Sequence, residues 1–264
     1  MKTILVLGSS GVIGTALCNT LRKEKYDVIE WDIKNSFTQD LTNPINNNLL
    51  KKEIEKSDFI FFMAYDVGGA KYISNVDLDF VNRNMMIMLN TFNLFENKKF
   101  VFASSTMYNM DNTYGILKYI GEKYTSLLGG ISVRLWNVYG YEKSSEKSHV
   151  IADIIHKWRT NGYIDLLTDG EEERQLLHAD DCARALTQLI EHYDDIDSSI
   201  DISSFVWTKI KDVAKIICED VRVTDVHVTT HDRKNEPRND ILKYWKPEID
   251  LKTGIQMIID GDSD

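Results

Sequence analysis

Tyr114 and Lys118, four residues apart, are the pair whose types and spacing best suit proton chemistry. On a helix this spacing puts both side chains on one face. A free tyrosine has a pKa of about 10 and is a poor base at neutral pH. A nearby ammonium favours the phenolate and lowers that value. Such a tyrosine can exchange a proton with a hydroxyl or ketone while hydride moves at the adjoining carbon. Ser104 follows the apolar run Lys99-Phe-Val-Phe-Ala103, which reads as a strand. It therefore falls at a strand's C-terminal end, where open parallel sheets bind ligands, and its hydroxyl is suited to bond the same oxygen.

Hydride transfer needs a carrier, and the start of the chain offers a place for one. Residues 2 to 7 read as a buried parallel strand, and residues 12 to 24 as an amphipathic helix with Val12, Ile13, Ala16, Leu17 and Leu21 on one face. Between them runs Gly8-Ser-Ser10-Gly11-Val-Ile-Gly14. Glycines there let the backbone approach a pyrophosphate, and the helix start supplies free N–H groups and a favourable dipole. The second strand, 26 to 31, ends at Asp32. Its carboxylate suits the ribose hydroxyls of an adenosine and would repel a 2′-phosphate, so NAD is favoured over NADP.

The elements that must position these groups alternate strand and helix through residue 140. This predicts an α/β fold, a Rossmann-type doubly wound parallel sheet with a smaller C-terminal substrate-binding lobe. The expected division is 1–140 for the cofactor and 141–264 for the substrate, with the chain interleaving between the two. A helix over 114 to 128 carries the tyrosine–lysine pair. A long helix takes Met85, Met86, Met88, Leu89, Phe92, Leu94 and Phe95 mostly into the core. Asp180 is expected to cap the helix that begins there, with Asp181 in its first turn. His178 is read as a structural residue at a strand end.

Composition sets limits. A chain of 264 residues can bury a full core. Its net charge of −10 argues against nucleic-acid binding. Cys18, Cys182 and Cys218 lie in helical patterns far apart, without metal spacing, and read as buried free thiols. No apolar run reaches membrane-spanning length, and the start leads straight into a core strand, so a cytoplasmic protein is expected.

Glycine turn, Ser104, Tyr114 and Lys118 in this order resemble the extended short-chain dehydrogenase/reductase family of nucleotide-sugar enzymes. Further segments carry the likeness nearly to the end of the chain. Arg134-Leu-Trp-Asn137-Val-Tyr139-Gly140 looks like the family's R-x-x-N-x-Y-G. Arg174 to Asp181 looks like its R-D-x-x-H-V-D-D, and Trp245, Pro247, Leu251 and Gly254 like its W-x-P…L-x-x-G ending. Three details are similar to the GDP-fucose synthase branch, bifunctional epimerases and reductases of a 4-keto sugar. These are Ala64-Tyr-Asp-Val67-Gly68-Gly69 beside A-A-K-V-G-G, Ser104-Ser105-Thr106-Met-Tyr beside S-S-C-I-Y, and Ser148-His149-Val-Ile beside S-H-V-I. Two departures matter. Thr106 replaces a cysteine and is no base for a carbanion, and Asp32 stands against that branch's NADP preference. Sugar dehydratases need T-D-E, whereas Ser104-Ser105-Thr106 holds no carboxylate. Only nine residues separate Ser104 from Tyr114, fewer than relatives usually carry.

The resemblance implies NAD held by Gly8, Ser10, Gly11, Val12, Ile13, Gly14, Asp32, Asp40, Leu41, Ala64, Tyr114 and Lys118. It implies catalysis by Ser104, Tyr114, Lys118 and His149. A nucleotide-diphosphate sugar would meet Val67, Gly68, Ser105, Thr106 and Asn137, with Arg174 first, Arg238 second and Arg233 third as diphosphate partners. No metal is implied. Relatives commonly pair through a four-helix bundle, so a homodimer is expected. Reduction of a 4-keto sugar stands first, and 4-epimerisation with retained NAD+ stays open. A non-catalytic NAD-binding sensor on the same fold is the alternative of another class.

Overall fold

The computed structural model describes residues 1–142, 147–223 and 235–261. The chain opens with β1 (Thr3–Leu7), α1 (Val12–Lys23) and β2 (Asp27–Trp31), followed by α2 (Asn47–Lys56), β3 (Phe59–Phe62), the single turn α3 (Ala70–Ile73) and α4 (Leu78–Phe92). Next come β4 (Phe100–Ser105), α5 (Thr113–Leu127) and β5 (Ile131–Leu135). These strands, joined later by β9 (Ser199–Ile202), form one six-stranded parallel sheet in the order β2-β1-β3-β4-β5-β9. Every strand therefore ends on the same edge, and the order reverses beside β1, the switch point where such sheets open a crevice.

The period-2 pattern sends alternate side chains to opposite layers. Ile4 and Val6 join the core under α1, while Leu5 and Leu7 join the core under α2, α4 and α5. The second of these cores is dense in phenylalanine, with Phe62, Phe92, Phe95, Phe100 and Phe102 in mutual edge-on or tilted contact. Such rings bury large area and fix one packing of α4 and α5 on the sheet.

Beyond β5 lie β6 (Asn137–Tyr139), α6 (Val150–Asn161), β7 (Ile164–Asp165) and β8 (Glu173–His178). After β8 the chain returns to the main sheet as α7 (Ala179–Glu191), which packs on α1 through Ala183, Leu186 and Leu189. Then follow β10 (Trp207–Lys209), α8 (Ile210–Ile217), β11 (Val221–Arg222) and α9 (Leu251–Gly261). A small sheet, β10-β8-β6, and a β11-β7 pair pack with α6, α8 and α9 around a third core that includes Ile151, Ile155, Leu176 and Val213.

Three sequence expectations change. β4 runs to Ser105, so Ser104 lies inside the strand, paired with Arg134, rather than after it. His178, not Asp180, caps α7: its ring nitrogen accepts from the Asp180 N–H at 3.2 Å. The helix follows β8 without a loop, so the last strand residue fills the capping position, and Asp180 and Asp181 both fall in the first turn. Cys218 is the half-buried C-cap of α8, whereas Cys18 and Cys182 are buried thiols as expected. No helix among the described residues is long and apolar enough to cross a membrane.

Candidate active site

The glycine turn is built by close approach. Gly8 follows β1 at φ +85°, a left-handed conformation that favours glycine. A Cβ there would lie 2.6 Å from the Ala64 nitrogen at the end of the neighbouring strand β3. A Cβ on Gly14 would overlap the Gly8 carbonyl oxygen, so α1 sits against the turn only because residue 14 has no side chain. Gly11 occupies the N-cap of α1 in extended conformation and brings no capping side chain. The first-turn N–H groups thus remain for an anionic ligand, which the helix dipole also favours. Val12 and Ile13 open that first turn, half-buried.

Asp32 sits just past β2, and its carboxylate accepts from the Ser10 N–H at 3.0 Å and the Lys34 N–H at 2.9 Å. It is thereby tied to the rim of the glycine turn. Asp40 closes a local turn, accepting from Thr42 N–H and Oγ1 at 2.8 and 2.7 Å. Leu41 is buried, and its carbonyl accepts from the Asn90 amide at 2.9 Å. A glycine cradle, an uncapped helix start and a carboxylate at the end of the second strand fit a dinucleotide.

Across the sheet edge, α5 starts at Thr113 with Asn112 as its cap, the Asn112 side chain accepting from Gly115 N–H at 2.8 Å. Tyr114 and Lys118 share the face turned to β4, and both are buried. Lys118 Nζ donates to the Ala103 carbonyl at 2.7 Å and lies 3.5 Å from the Tyr65 ring centre and 5.7 Å from that of Tyr114. Burial lowers the Lys118 pKa to about 7, against an opposing push from the Glu122 carboxylate. Burial thus weakens the ammonium that would favour a phenolate on Tyr114.

Glu122 lies one turn beyond Lys118 on the same face. It receives Ser104 Oγ at 2.7 Å and holds Arg134 by two parallel bonds of 2.9 and 2.8 Å. Ser104 is buried, and with its proton given to Glu122 it can only accept from a ligand; to donate to a ketone its hydroxyl must turn. Sequence reading missed Glu122, although Tyr114, Lys118 and Glu122 form an i, i+4, i+8 stripe that was visible. Ser105 Oγ accepts from Met107 N–H at 3.2 Å and caps a 3-10 turn, Thr106–Asn109, that leads toward α5.

The loop after β3 forms the opposite wall. Gly69 N–H donates to the Lys147 carbonyl at 2.9 Å, and a Cβ on Gly69 would overlap the Ser148 carbonyl. Buried Asp66 takes ion pairs from Arg83, at 2.6 Å, and from Lys147. This clamp carries Val67 and Gly68 to the start of α6, where His149 is the N-cap residue. His149 Nδ1 faces Glu142 at 3.0 Å, which leaves Nε2 for another partner. Four expected residues are thus gathered: Ala64, Val67, Gly68 and His149.

Asn137 begins β6, and its side-chain oxygen is buried with no hydrogen-bond partner among the described residues. Its strand partner is Leu176 on β8, two residues after the half-buried Arg174, so these two expected residues share one small sheet. Arg238 lies beside β9, where its backbone N–H donates to Asp201 Oδ2 at 2.9 Å. Its guanidinium binds Asp240 at 2.9 Å and the carbonyl of Ser199, the first residue of β9, at 3.3 Å. Arg233 falls outside the described residues. Among those described, no cluster of His, Cys, Asp or Glu gathers to hold a metal.

The model of the NAD-dependent epimerase/dehydratase family matches residues 4–203. A putative UDP-glucose 4-epimerase of Methanocaldococcus jannaschii is 27% identical, with 97% of each chain covered. A GDP-L-fucose synthase of Sinorhizobium fredii is 26% identical over 96% of this chain and 93% of that one. Among solved structures, a GDP-mannoheptose C4 reductase from Campylobacter jejuni with NADP bound superposes with a TM-score of 0.83, at 22% identity, covering 100% of this chain and 98% of that one. The last likeness is one of fold.

Proposed function

Since the chain belongs to the NAD-dependent epimerase/dehydratase family, whose members here are nucleotide-sugar epimerases and reductases, we propose that it is an NAD(H)-dependent nucleotide-sugar oxidoreductase acting at sugar C4. Reduction of a 4-keto sugar is the favoured direction. The observation that carries this reading is the buried Tyr114–Lys118 pair, set against the end of β4 and level with the glycine turn at the end of β1. Residues 1–140 are assigned to the cofactor and 141–264 to the sugar nucleotide.

Gly8, Gly11 and Gly14 would receive the pyrophosphate, Asp32 the adenosine ribose, and Lys118 the nicotinamide ribose. When bound, the nicotinamide supplies or accepts hydride. The chain's own residues handle the proton. Tyr114 gives a proton to the C4 oxygen on reduction or takes it on oxidation, and the Lys118 ammonium stabilises the phenolate left behind. Ser104 bonds that oxygen after its hydroxyl turns from Glu122. Asn137, whose buried side-chain oxygen lacks a partner among the described residues, and Arg174 are assigned to the sugar nucleotide. His149 is assigned to the sugar face, oriented by Glu142. Thr106, in place of a cysteine, disfavours epimerisation beside the ketone. The carboxylate of Asp32 also supports a second reading, a 4-epimerase that keeps NAD+ through its cycle.

Mass spectrometry of small molecules released on denaturation separates the two readings. Stoichiometric NAD+ favours the epimerase, and an empty site that binds NADH reversibly favours the reductase. Tyr114→Phe should abolish turnover of an identified 4-keto sugar while keeping cofactor affinity. Full turnover in that variant would sink the assignment.

A further inference from the structure

Tyr65 stands where the A-A-K-V-G-G pattern has its second alanine, so the family likeness gives it no role. The structure puts it in the middle of the site. Its neighbour Ala64 is pressed against Gly8, at the cofactor turn. Its ring lies 3.5 Å under Lys118 Nζ and edge-on to Tyr114, with ring centres 6.0 Å apart. Through Ala64 on one side and its own ring on the other, this stretch links the glycine turn to the Tyr114–Lys118 pair. The Tyr65 hydroxyl is buried and has no hydrogen-bond partner among the described residues. A buried hydroxyl left unpaired is costly, and buried Tyr and Trp polar atoms usually find a partner.

We infer that Tyr65 is a ligand-binding residue whose hydroxyl donates a hydrogen bond to an uncharged oxygen of the molecule bound beside Tyr114. The chemistry required is a ribose, carboxamide or sugar oxygen within the cofactor–sugar pair, so the inference rests on the function proposed above. The two tyrosines then divide the work. Tyr114 exchanges a proton, and Tyr65 stays protonated as a fixed donor. Burial, the neighbouring Tyr114 and Asp66 all push the Tyr65 hydroxyl away from ionisation, which suits a donor and not a base. The ring meanwhile covers one side of the Lys118 ammonium, a contact that phenylalanine would keep.

Tyr65→Phe removes the hydroxyl alone. The free protein should melt at the same temperature or slightly higher, because an unpaired polar atom has been taken from the interior. Affinity for the ligand that carries the accepting oxygen should fall about tenfold, the size of one good hydrogen bond, with NADH titrated by calorimetry as the first arm. GDP-mannose and UDP-glucose titrated into the NAD+-loaded protein form the second arm. A loss confined to NADH places the accepting oxygen on the cofactor. A loss confined to a sugar nucleotide places it on the sugar. Equal affinity of variant and wild type for every ligand the wild type binds overturns the inference and leaves the proposed function standing. A wild type that binds neither NADH nor NAD+ overturns both.

Discussion

The Glu122–Arg134 pair offers the sharpest test of how this site is held. Its side chains are 10% and 17% exposed, and it is bidentate, with Ser104 as a third member. Removing one partner of a buried pair costs about 3–5 kcal/mol, because the other charge stays behind. Two features lower that figure for Glu122→Leu. The Arg134 guanidinium also lies 3.7 Å over the Tyr108 ring, and buried Asp201 is close enough to act on its charge. The loss of a partner for the Ser104 hydroxyl works the other way, at about 1–3 kcal/mol before water relaxes it. The expected cost is about 3 kcal/mol for Glu122→Leu, and about the same for Arg134→Met, which strands the carboxylate. With a urea slope near 3 kcal/mol/M, each variant should unfold about 1 M earlier. Together the two substitutions remove both charges of the pair, so the double variant should lose less than the sum by about 2 kcal/mol or more. Urea unfolding of the four proteins closes the cycle. Single costs below about 1 kcal/mol, or additivity within about 0.5 kcal/mol, would refute the view that this pair is a coupled buried unit.

Other outcomes follow from the same geometry. Gly14→Ala pushes a methyl into the Gly8 carbonyl, so it should lose about 1–3 kcal/mol of stability along with NADH affinity, whereas Gly11→Ala, whose Cβ meets that oxygen only at 3.5 Å, should stay within about 0.5 kcal/mol. Equal melting temperatures for the two variants would contradict the close approach. Lys118 has its folded pKa lowered to about 7 by burial, so between about pH 7 and 10.5 the unfolded chain binds the extra proton and stability rises with pH. From pH 7 to 9 the wild type should therefore gain about 2–3 kcal/mol relative to Lys118→Met, and parallel stability curves would exclude a depressed lysine. Met86 and Leu89 on α4 and Ile116 and Tyr119 on α5 are exposed, so the homodimer carried over from the family should form through these helices. Sedimentation at monomer mass for the wild type would remove it.

What the sequence revealed and what it hid follow from the range of the interactions. The turn from Gly8 to Gly14 is local: strand, glycines and helix follow one another, and their spacing alone implies the close approach. The same holds for Tyr114 and Lys118, since i and i+4 share a face on any helix. Asp180 failed as a cap because side-chain preference was weighed without knowing that β8 and α7 meet with no loop between them. The place of Arg238 was hidden for a longer-range reason. Its place is set by β9, which returns to the main sheet after a lobe of some sixty residues, and no local pattern carries that pairing. Tyr65 is the extreme case. It reads as an ordinary aromatic in a loop, and only the folding of that loop against α5 brings its ring onto Lys118.

Only nine residues lie between Ser104 and Tyr114 to cover the site on that side. The packing shows how one wall is nonetheless made. Asp66 draws Arg83 from α4 and Lys147 from the approach to α6 onto one carboxylate. Gly69 lets the two backbones touch, and Glu142 turns His149 with both its backbone N–H and its ring. Arg83 ties the loop after β3 to α4, and the other contacts join that loop to the smaller lobe or brace the start of α6. A carboxylate at residue 66, where the related pattern has lysine, reverses the sign at this seam, and the lysine needed to match it stands at 147. The wall beside Tyr65 is therefore held by charge drawn from both parts of the chain. That explains how residues 66–69 and the start of α6 at His149, distant in sequence, come together.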